Sequence, residues 1–405
     1  MKLKELLDPE KFKDIQVALK RRGFKGDLSK LAKLEEKRLE IIPKLDELRA
    51  QANKLAKAKD IEGGKKIKDK LKKLELEYKV VVDDLSLLSA EVPNIPDPEV
   101  PDGGEDNGKV LKSVGEKPKI SNPKDHVELG TALNILDMER GAKVSGSRFY
   151  YLKNQAVELE FALVRYILDI LKDKGFELLI GPQLLGEKAM LAGGYLGKAA
   201  EEIYRVENEG GTLYLNGTSE PAILAYHMDE IIEVPKRYAA FSTCFRRESG
   251  SYGKDTKGII RTHQFDKIEM FAFVAPESSG DMLETMILIV EDIMSGLEIP
   301  YREVMLAAED IAAAATKTID FECWLPTQKT YRETHSVSTT TDWQANLANI
   351  RYKAESGNEL VHTLNGTALG IGRMLAIFFE NHQQPDGSIK IPKALHKYLS
   401  FKEIK

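Results

Sequence analysis

The sequence predicts an α+β fold: an antiparallel sheet flanked by helices, preceded by an antiparallel two-helix coiled-coil arm. Three observations carry this. Apolar residues in the first ninety positions recur with the 3.5-residue rhythm of packed helices over two long stretches. The rest of the chain mixes short β-branched and aromatic runs with a few amphipathic helices. These are not regularly interleaved, as a doubly wound parallel sheet would need. Between the two lies EVPNIPDPEVPDGGEDNG, residues 91–108, dense in Pro, Gly and acids, which reads as a linker or an extended crossing segment. The expected division is an N-terminal domain over 1–108, with its arm over about 28–90, and a main domain over 109–405.

The arm rests on heptads. Leu34, Ile41, Leu48 and Leu55 repeat every seven residues from 28 to 59, and Leu31, Leu45 and Ala52 fill the second seam position, with Arg38 as the exception. A second series, Ile67, Leu71, Leu74, Tyr78, Val81, Leu85 and Leu88, keeps 4,3 spacing. Gly63-Gly64 reads as the reversal point, with the tip near residue 61. Pro43 falls on the outer face and predicts a kink near Leu39–Ile42 rather than a broken helix.

The net charge of −5 hides an asymmetry: residues 1–90 hold 24 Lys/Arg against 17 Asp/Glu, and the remainder 35 against 47. A basic extension on an acidic body fits a polyanionic partner; a solvated Lys/Glu-rich helix gives the same count. Two cysteines, Cys244 and Cys323, exclude a disulfide framework and a four-cysteine zinc site, and suit a reducing compartment. The first residues lack the apolar run of a signal peptide, and no stretch approaches the roughly 18 apolar residues of a membrane helix, so a cytoplasmic protein is expected.

In the main domain, 156–175 reads as an amphipathic helix ending at glycine, and FELLIGPQLL as a strand meeting Pro182. KRYAAFSTCFRRES and IIRTHQFDKIEMFAFV read as two strands around a long, mobile loop. DMLETMILIVEDIMSGLEIPY is a helix; DFECWLP, TYRETHSVS and ELVHTLNGTALG are strands; IGRMLAIFFENHQ is a closing helix. Arg246 stands near the end of the first loop-flanking strand, where a guanidinium can clamp phosphate and carboxylate oxygens in pairs. On the return strand, period two puts Arg261, His263, Phe265, Lys267 and Glu269 on one face. Such a face can sandwich a flat base between an arginine and a ring, and it can equally be the polar outer face of an edge strand. Arg373 sits in the first turn of an apolar helix, against the dipole preference; it either reaches an anion in a cleft or snorkels from a core helix.

Taken in order, these segments resemble the seryl-tRNA synthetases, members of the class II aminoacyl-tRNA synthetases. FRRESGSYGKDTKGIIRTHQFDKIEMF (245–271) is similar to the family's motif 2, and HTLNGTALGIGRMLAIFFENHQ (362–383) to its motif 3. TSEPAILAYH (218–227) resembles its Thr-x-Glu segment, YRETHSVSTTTDWQA (331–345) the segment with the metal-binding acid, and KGFELLIGPQLL (174–185) motif 1, which in this class lies at a dimer interface. GSRFYYLKNQAVEL and the basic N-terminal hairpin fit as well, so the resemblance spans essentially the whole chain.

The resemblance implies a serine–tRNA ligase that activates L-serine with ATP and Mg²⁺ and transfers it to the 3′ end of serine tRNA. It implies catalytic roles for Arg246, Arg261 and Arg373. Arg246 would hold the α-phosphate and the serine carboxylate, and Arg373 the γ-phosphate. Phe265 would stack on adenine with Arg373 on its other side, and Glu248 would accept from the adenine amino group. Glu333, with Ser336 nearby, would hold Mg²⁺. Thr218 and Glu269 would bind the serine ammonium, and Glu269, Asn365 and Thr367 would surround its hydroxyl. The arm would grip serine tRNA, and a homodimer would form near Pro182.

Some positions depart from the family. Gln-Ala-Asn-Leu-Ala stands where Gln-Ala-Arg-Arg is usual, so Asn346 and Leu347 replace two positive charges; Val337 replaces a usual cysteine; and an alanine run, 312–315, replaces a Gly-Asp-rich segment. None of these is a residue assigned to ATP or serine. A paralogue that loads a carrier protein would lack the long hairpin, and a non-catalytic RNA-binding relative would have lost the phosphate-clamping arginines; the chain keeps both features. P-loop and dinucleotide motifs are absent.

Overall fold

The computed structural model describes residues 3–249 and 257–405. The chain divides into two compact units, Met1–Pro96 and Asp97–Lys405. The first holds α1 (Pro9–Arg21), α2 (Ser29–Lys57) and α3 (Ile61–Glu91). α2 and α3 pack antiparallel along the heptad seam, with Leu31, Ile41 and Leu45 buried in one cluster with Val81 and Leu85, and Leu34, Leu71, Leu74 and Tyr78 half-buried beside them. Arg38 is accommodated in the seam by Glu35, a fully buried carboxylate that accepts from its Nε at 2.7 Å and its Nη2 at 2.8 Å. α2 continues through Pro43, which is exposed on the outer face.

The reversal is not at Gly63-Gly64. Both glycines lie in the first turn of α3, and the chain turns at 58–60, where Lys59 adopts φ 57°. Asp60 caps α3 by accepting from the Gly63 amide at 2.9 Å, which sets the helix start ahead of the glycines.

The second unit contains, in chain order, β1 (Lys109–Val114), α4 (His126–Ala132), α5 (Gln155–Asp173), β2 (Glu177–Leu179), α6 (Glu220–Tyr226), β3 (Lys236–Phe245), β4 (Gln264–Val274) and α7 (Ser279–Leu297). β5 (Tyr301–Met305), β6 (Lys317–Leu325), β7 (Thr330–Thr341), α8 (Trp343–Ala348), β8 (His362–Gly370) and α9 (Ile371–His382) follow. The strands form one sheet in the order β1-β5-β6-β7-β8-β4-β3-β2. All its pairs are antiparallel except the edge pair β2/β3, which is parallel. The strand expected across FELLIGPQLL is only three residues long and stops before Pro182; Leu184–Gly186 pairs in a separate three-stranded sheet. Part of the expected linker is laid on this unit: Asp97 N donates to Thr316 O at 2.9 Å, and Ala308 N to Pro101 O at 2.8 Å.

β4 organises the core because its two faces have opposite fates. Ile268, Met270 and Ala272 face the main cluster, where Met286 of α7 and Met374 and Phe378 of α9 also pack. On the other face Phe271 and Phe273 pack with Ile223 and Leu224 of α6 and with Ala345 and Ala348 of α8. The start of that second face, Phe265, Lys267 and Glu269, is left for the site.

The return strand starts at Gln264, so Arg261 and His263 do not share its face by strand alternation. Residues 257–263 are irregular because they are anchored elsewhere. Gly258 adopts φ 80°, and a Cβ there would lie 1.9 Å from His126 Nε2. Ile259 N donates to the same Nε2 at 3.2 Å, which places the ring proton on Nδ1, and that atom donates to Glu380 Oε1 at 2.8 Å. The second Glu380 oxygen accepts from Thr327 N at 3.2 Å and Thr327 Oγ1 at 2.6 Å, and the carboxylate is fully buried. The loop tip expected to be mobile, 250–256, lies outside the described residues.

The His126 amide also donates to Glu380 Oε1, at 3.1 Å, so removing Glu380 strands four donors at once. Glu380→Ala is expected to destabilise the second unit by about 3 kcal/mol, read as a lower denaturant midpoint in chemical unfolding.

Candidate active site

A cavity of about 560 Å³ opens on the free part of the β4 face; its walls include Arg246, Glu248, Arg261, Phe265, Lys267, Glu333, Thr367 and Arg373. They arrive from several parts of the chain. Arg246 follows the last residue of β3, and its Nε donates to Gly217 O at 3.2 Å. Its guanidinium lies 5.3 Å from the centre of the Phe265 ring. Its carbonyl accepts from His263 Nδ1 at 3.0 Å, so His263 serves the wall of the site. Glu248 takes the left-handed conformation, φ 51°, sparsely populated for a residue with a side chain. That turn brings its carboxylate to Arg261 Nη1 at 2.8 Å. Arg261 Nε is buried and among the described residues has no hydrogen-bond partner, an orphan donor beside the cavity. Arg373, in the first turn of α9, donates from Nη1 to Glu333 Oε2 at 3.0 Å and to Glu333 O at 2.6 Å.

Thr218, Glu269 and Asn365 do not line this cavity; they form a second, largely buried cluster joined to it through Lys267. Thr218 and Glu269, each about 1 % exposed, are joined by a hydrogen bond from Thr218 Oγ1 to Glu269 Oε2 at 2.8 Å. Lys267 Nζ is ion-paired to the same oxygen. Thr367 stands opposite Glu269 in the β4/β8 ladder, at a register irregularity that re-aims it. Asn365 Nδ2 donates to Glu220 Oε1 at 3.0 Å, Tyr195 OH donates to Glu220 Oε2 at 2.7 Å, and Gln344 Nε2 also donates to Oε1. Glu220 therefore organises this cluster, although its place in Thr-x-Glu implied no role for it. Lys267 lies on the face that alternation predicts, but its residue type alone points to no function there. Tyr195 and Gln344 carried no sequence signal, since they reach Glu220 from 25 and 124 residues away.

Charge is balanced locally. Burial, and then the nearby Glu269 carboxylate, push Glu220 up to about 7. Loss of solvent raises Glu333 as well, but the Arg373 guanidinium beside it, with Arg246 and Lys267, prevails and holds it below the usual carboxylate range. Burial lowers His335 to about 4, so that imidazole is neutral at pH 7. Ser336 is not part of the cavity wall and stands opposite Asp320 in the β6/β7 ladder; burial and Glu333 raise Asp320 well above the usual range, and among the described residues its Oδ1 has no hydrogen-bond partner. Among the described residues no three His, Cys, Asp or Glu side chains gather as a metal site. Hard oxygen donors on Glu333, Ser336 and Asp320 are what β6 and β7 offer.

Glu220 supplies a pH test. Its folded value lies above the ordinary carboxylate value, so from about pH 4.5 to 7 the folded protein keeps a proton that the unfolded chain has lost. The stabilisation, about 3 kcal/mol, is present at low pH and is lost as pH rises through about 7. Glu220→Gln is expected to flatten the fall in stability over this window, measured by denaturation at stepped pH; Glu160 and Glu303, lifted by burial to about 8 and about 7, keep their part of the slope.

Comparison with known proteins adds to this geometry. Residues 204–382 match the tRNA synthetase class II core domain (G, H, P, S and T), and residues 3–96 match the seryl-tRNA synthetase N-terminal domain. The chain is 41% identical to a serine–tRNA ligase of Rubrobacter xylanophilus over 93% of both chains. It is 41% identical to that of Nautilia profundicola over 96% of this chain and 98% of the other. A crystal structure of seryl-tRNA synthetase from Pyrococcus horikoshii complexed with ATP superposes with a TM-score of 0.85 at 34% identity, covering 98% of each chain. The cytoplasmic serine–tRNA ligase of Naegleria fowleri in complex with AMP superposes with a TM-score of 0.83 at 31% identity, over 99% of this chain and 98% of that one.

Proposed function

The chain belongs to the seryl-tRNA synthetases, and from that premise we propose how its cavity carries out the reaction of a serine–tRNA ligase. The enzyme binds ATP, activates L-serine as seryl-adenylate with release of pyrophosphate, and transfers serine to tRNA. The observation that carries our reading is the convergence of Arg246, Arg261, Arg373 and Lys267 with Phe265 in one cavity, above a buried Thr218–Glu269 pair.

ATP lies with adenine on Phe265, its amino group donating to Glu248. Arg246 spans the α-phosphate and the serine carboxylate, bringing nucleophile and electrophile together. A carboxylate oxygen attacks the α-phosphorus as the bond to the β-phosphate oxygen breaks, and pyrophosphate departs toward Arg373. Arg261, with its orphan Nε, adds a donor on the phosphates. The carboxylate is already ionised at pH 7, so no general base is required, and the chain's contribution is orientation and charge stabilisation. Glu333 and Ser336, with Asp320 nearby, would hold Mg²⁺, which would supply positive charge to offset that of the phosphates. Thr218 and Glu269 receive the serine ammonium, and Glu269, Asn365 and Thr367 surround its hydroxyl. Alanine leaves those groups unpaired and is rejected by about 10⁴-fold.

The arm takes the tRNA. Lys65, Lys66, Lys68, Lys70, Lys72 and Lys73 are exposed along the first half of α3 and suit backbone phosphates, which position rather than specify. A homodimer through the region near Pro182 is supported by exposed apolar side chains on neighbouring elements: Val157 and Phe161 of α5, Leu178 of β2, and Ile180. A cytoplasmic site of action fits the tRNA substrate and the two unpaired, buried thiols, Cys244 and Cys323. Among the described residues no helix is long and apolar enough to cross a membrane.

ATP–pyrophosphate exchange with serine, threonine, alanine and glycine tests the chemistry. Exchange with serine alone is expected, and Arg246→Ala should lower it by about 10³-fold; exchange at the wild-type rate in that variant sinks the assignment. For assembly, Phe161→Asp is expected to shift the protein from dimer to monomer in sedimentation equilibrium.

A further inference from the structure

Lys267 lines the cavity, yet the reading above gives it no contact of its own with either substrate. Its side chain is only 10% exposed. Its Nζ is ion-paired to Glu269 Oε2 and donates to Thr218 Oγ1 at 3.3 Å, while Thr218 Oγ1 donates to Glu269 Oε2 at 2.8 Å. These are the two side chains that receive the serine ammonium. A lysine ammonium and an α-ammonium are the same donor: one positive charge on a tetrahedral nitrogen with three hydrogens. An α-ammonium seated on Glu269 Oε2 and Thr218 Oγ1 competes with Lys267 Nζ for the same acceptors.

We propose that Lys267 is an internal stand-in for the amino acid's ammonium. It fills the Thr218–Glu269 subsite of the empty enzyme, is displaced by serine, and then presents its charge to the ATP phosphates. The inference rests on the assignment of Thr218 and Glu269 to the serine ammonium.

Three features favour it. Glu269 is about 1 % exposed and lies near a second buried carboxylate, Glu220, so an empty subsite without a cation would hold buried charge unbalanced. The cation is a lysine, a point charge on a flexible four-carbon stem, where an arginine fork would hold the carboxylate in two bonds and resist exchange. The displaced ammonium has a destination, because Lys267 shares the cavity wall with Arg246, Glu333 and Arg373. Serine binding thereby adds a cation where ATP's phosphates lie, and the two substrates reinforce each other's binding. A carboxylic acid lacking the ammonium leaves Lys267 in place.

The test is calorimetric titration of L-serine into the full-length protein without ATP, together with the kcat of ATP–pyrophosphate exchange. Lys267→Met removes the competitor and keeps the stem: serine affinity is expected to rise about 10-fold while kcat falls about 100-fold. Lys267→Arg ties Glu269 more firmly, so serine affinity is expected to fall about 10-fold. The opposite directions matter, because a merely structural lysine would weaken serine binding in both variants. Serine affinity unchanged or lowered in Lys267→Met, or kcat unchanged, overturns the proposal. If the Met variant unfolds in a thermal scan, the Arg variant alone decides: unchanged or tighter serine binding overturns it. Glu269→Gln separates the two readings, since wild-type serine affinity there removes the ammonium assignment itself, whatever Lys267 does.

Discussion

The structure depends on charge neutralised in pairs inside a partly closed cavity. Four cations on one small surface would repel each other and resist burial, and isolated carboxylates would do the same. Here they interlock. Arg261 holds Glu248 at 2.8 Å, Arg373 holds Glu333 at 3.0 Å, and Lys267 is paired with Glu269. The empty site is thus close to neutral while carrying many oriented donors and acceptors. Substrates that bring phosphates, a carboxylate and an ammonium exchange one set of partners for another, and no bare charge needs to be created or buried. This is preorganisation in the electrostatic sense: the dipoles and charges are fixed by the fold before the reaction begins.

Such pairing works only if the backbone is stiff, and the sheet supplies that. β4 lies between β3 and β8, so Lys267 and Glu269 project from a strand hydrogen-bonded on both sides. Its other face is locked into the main core, and the far end of the cavity face is sealed by the phenylalanine cluster under α6 and α8. The irregular segment that carries Arg261 lacks a ladder of its own. A chain of buried polar contacts replaces it, from Glu380 of α9 through His126 of α4 to the amide of Ile259. The helix that presents Arg373 also supplies the anchor for Arg261, so the two arginines are fixed relative to one another through α9.

How much of this was legible in the sequence follows from the range of the interactions. Heptads are local, so the arm and the outer placement of Pro43 could be read directly; only the turn was misplaced, because a side-chain cap from Asp60 overrode the two glycines. The strands flanking the loop were legible through their alternation, and so was the shared face of Phe265, Lys267 and Glu269. Alternation failed at Arg261 and His263, since nothing local reveals that His126, 133 residues earlier in the chain, takes over the Ile259 amide. The resemblance named arginines and acids singly. It left open which carboxylate each cation meets in the empty site, and that pairing is a property of three-dimensional packing. Glu220 is the clearest case, with partners drawn from residues 195, 344 and 365.

The positions where the chain departs from its family can now be weighed by where they lie. Asn346 is exposed on α8, while Gln344 of the same helix is buried and bonded to Glu220, so the charge missing at 346 falls on the solvent side and the neighbouring contact with Glu220 is intact. Leu347 packs with the cluster beneath α6, where a charged side chain would be poorly placed against Ile223 and Leu224. The alanine run follows the same logic. Gly194 adopts φ 87°, and a Cβ there would come within 3.1 Å of the Trp343 ring and 3.9 Å of the Ala314 methyl. Small residues at 194 and 314 leave room for Trp343, the first residue of α8, and Ala315 is buried beside them. These substitutions therefore belong together: they rebuild the packing around α8 without removing a charge from the cavity. Gln344, buried and bonded to Glu220, ties α8 to the residues around the serine subsite.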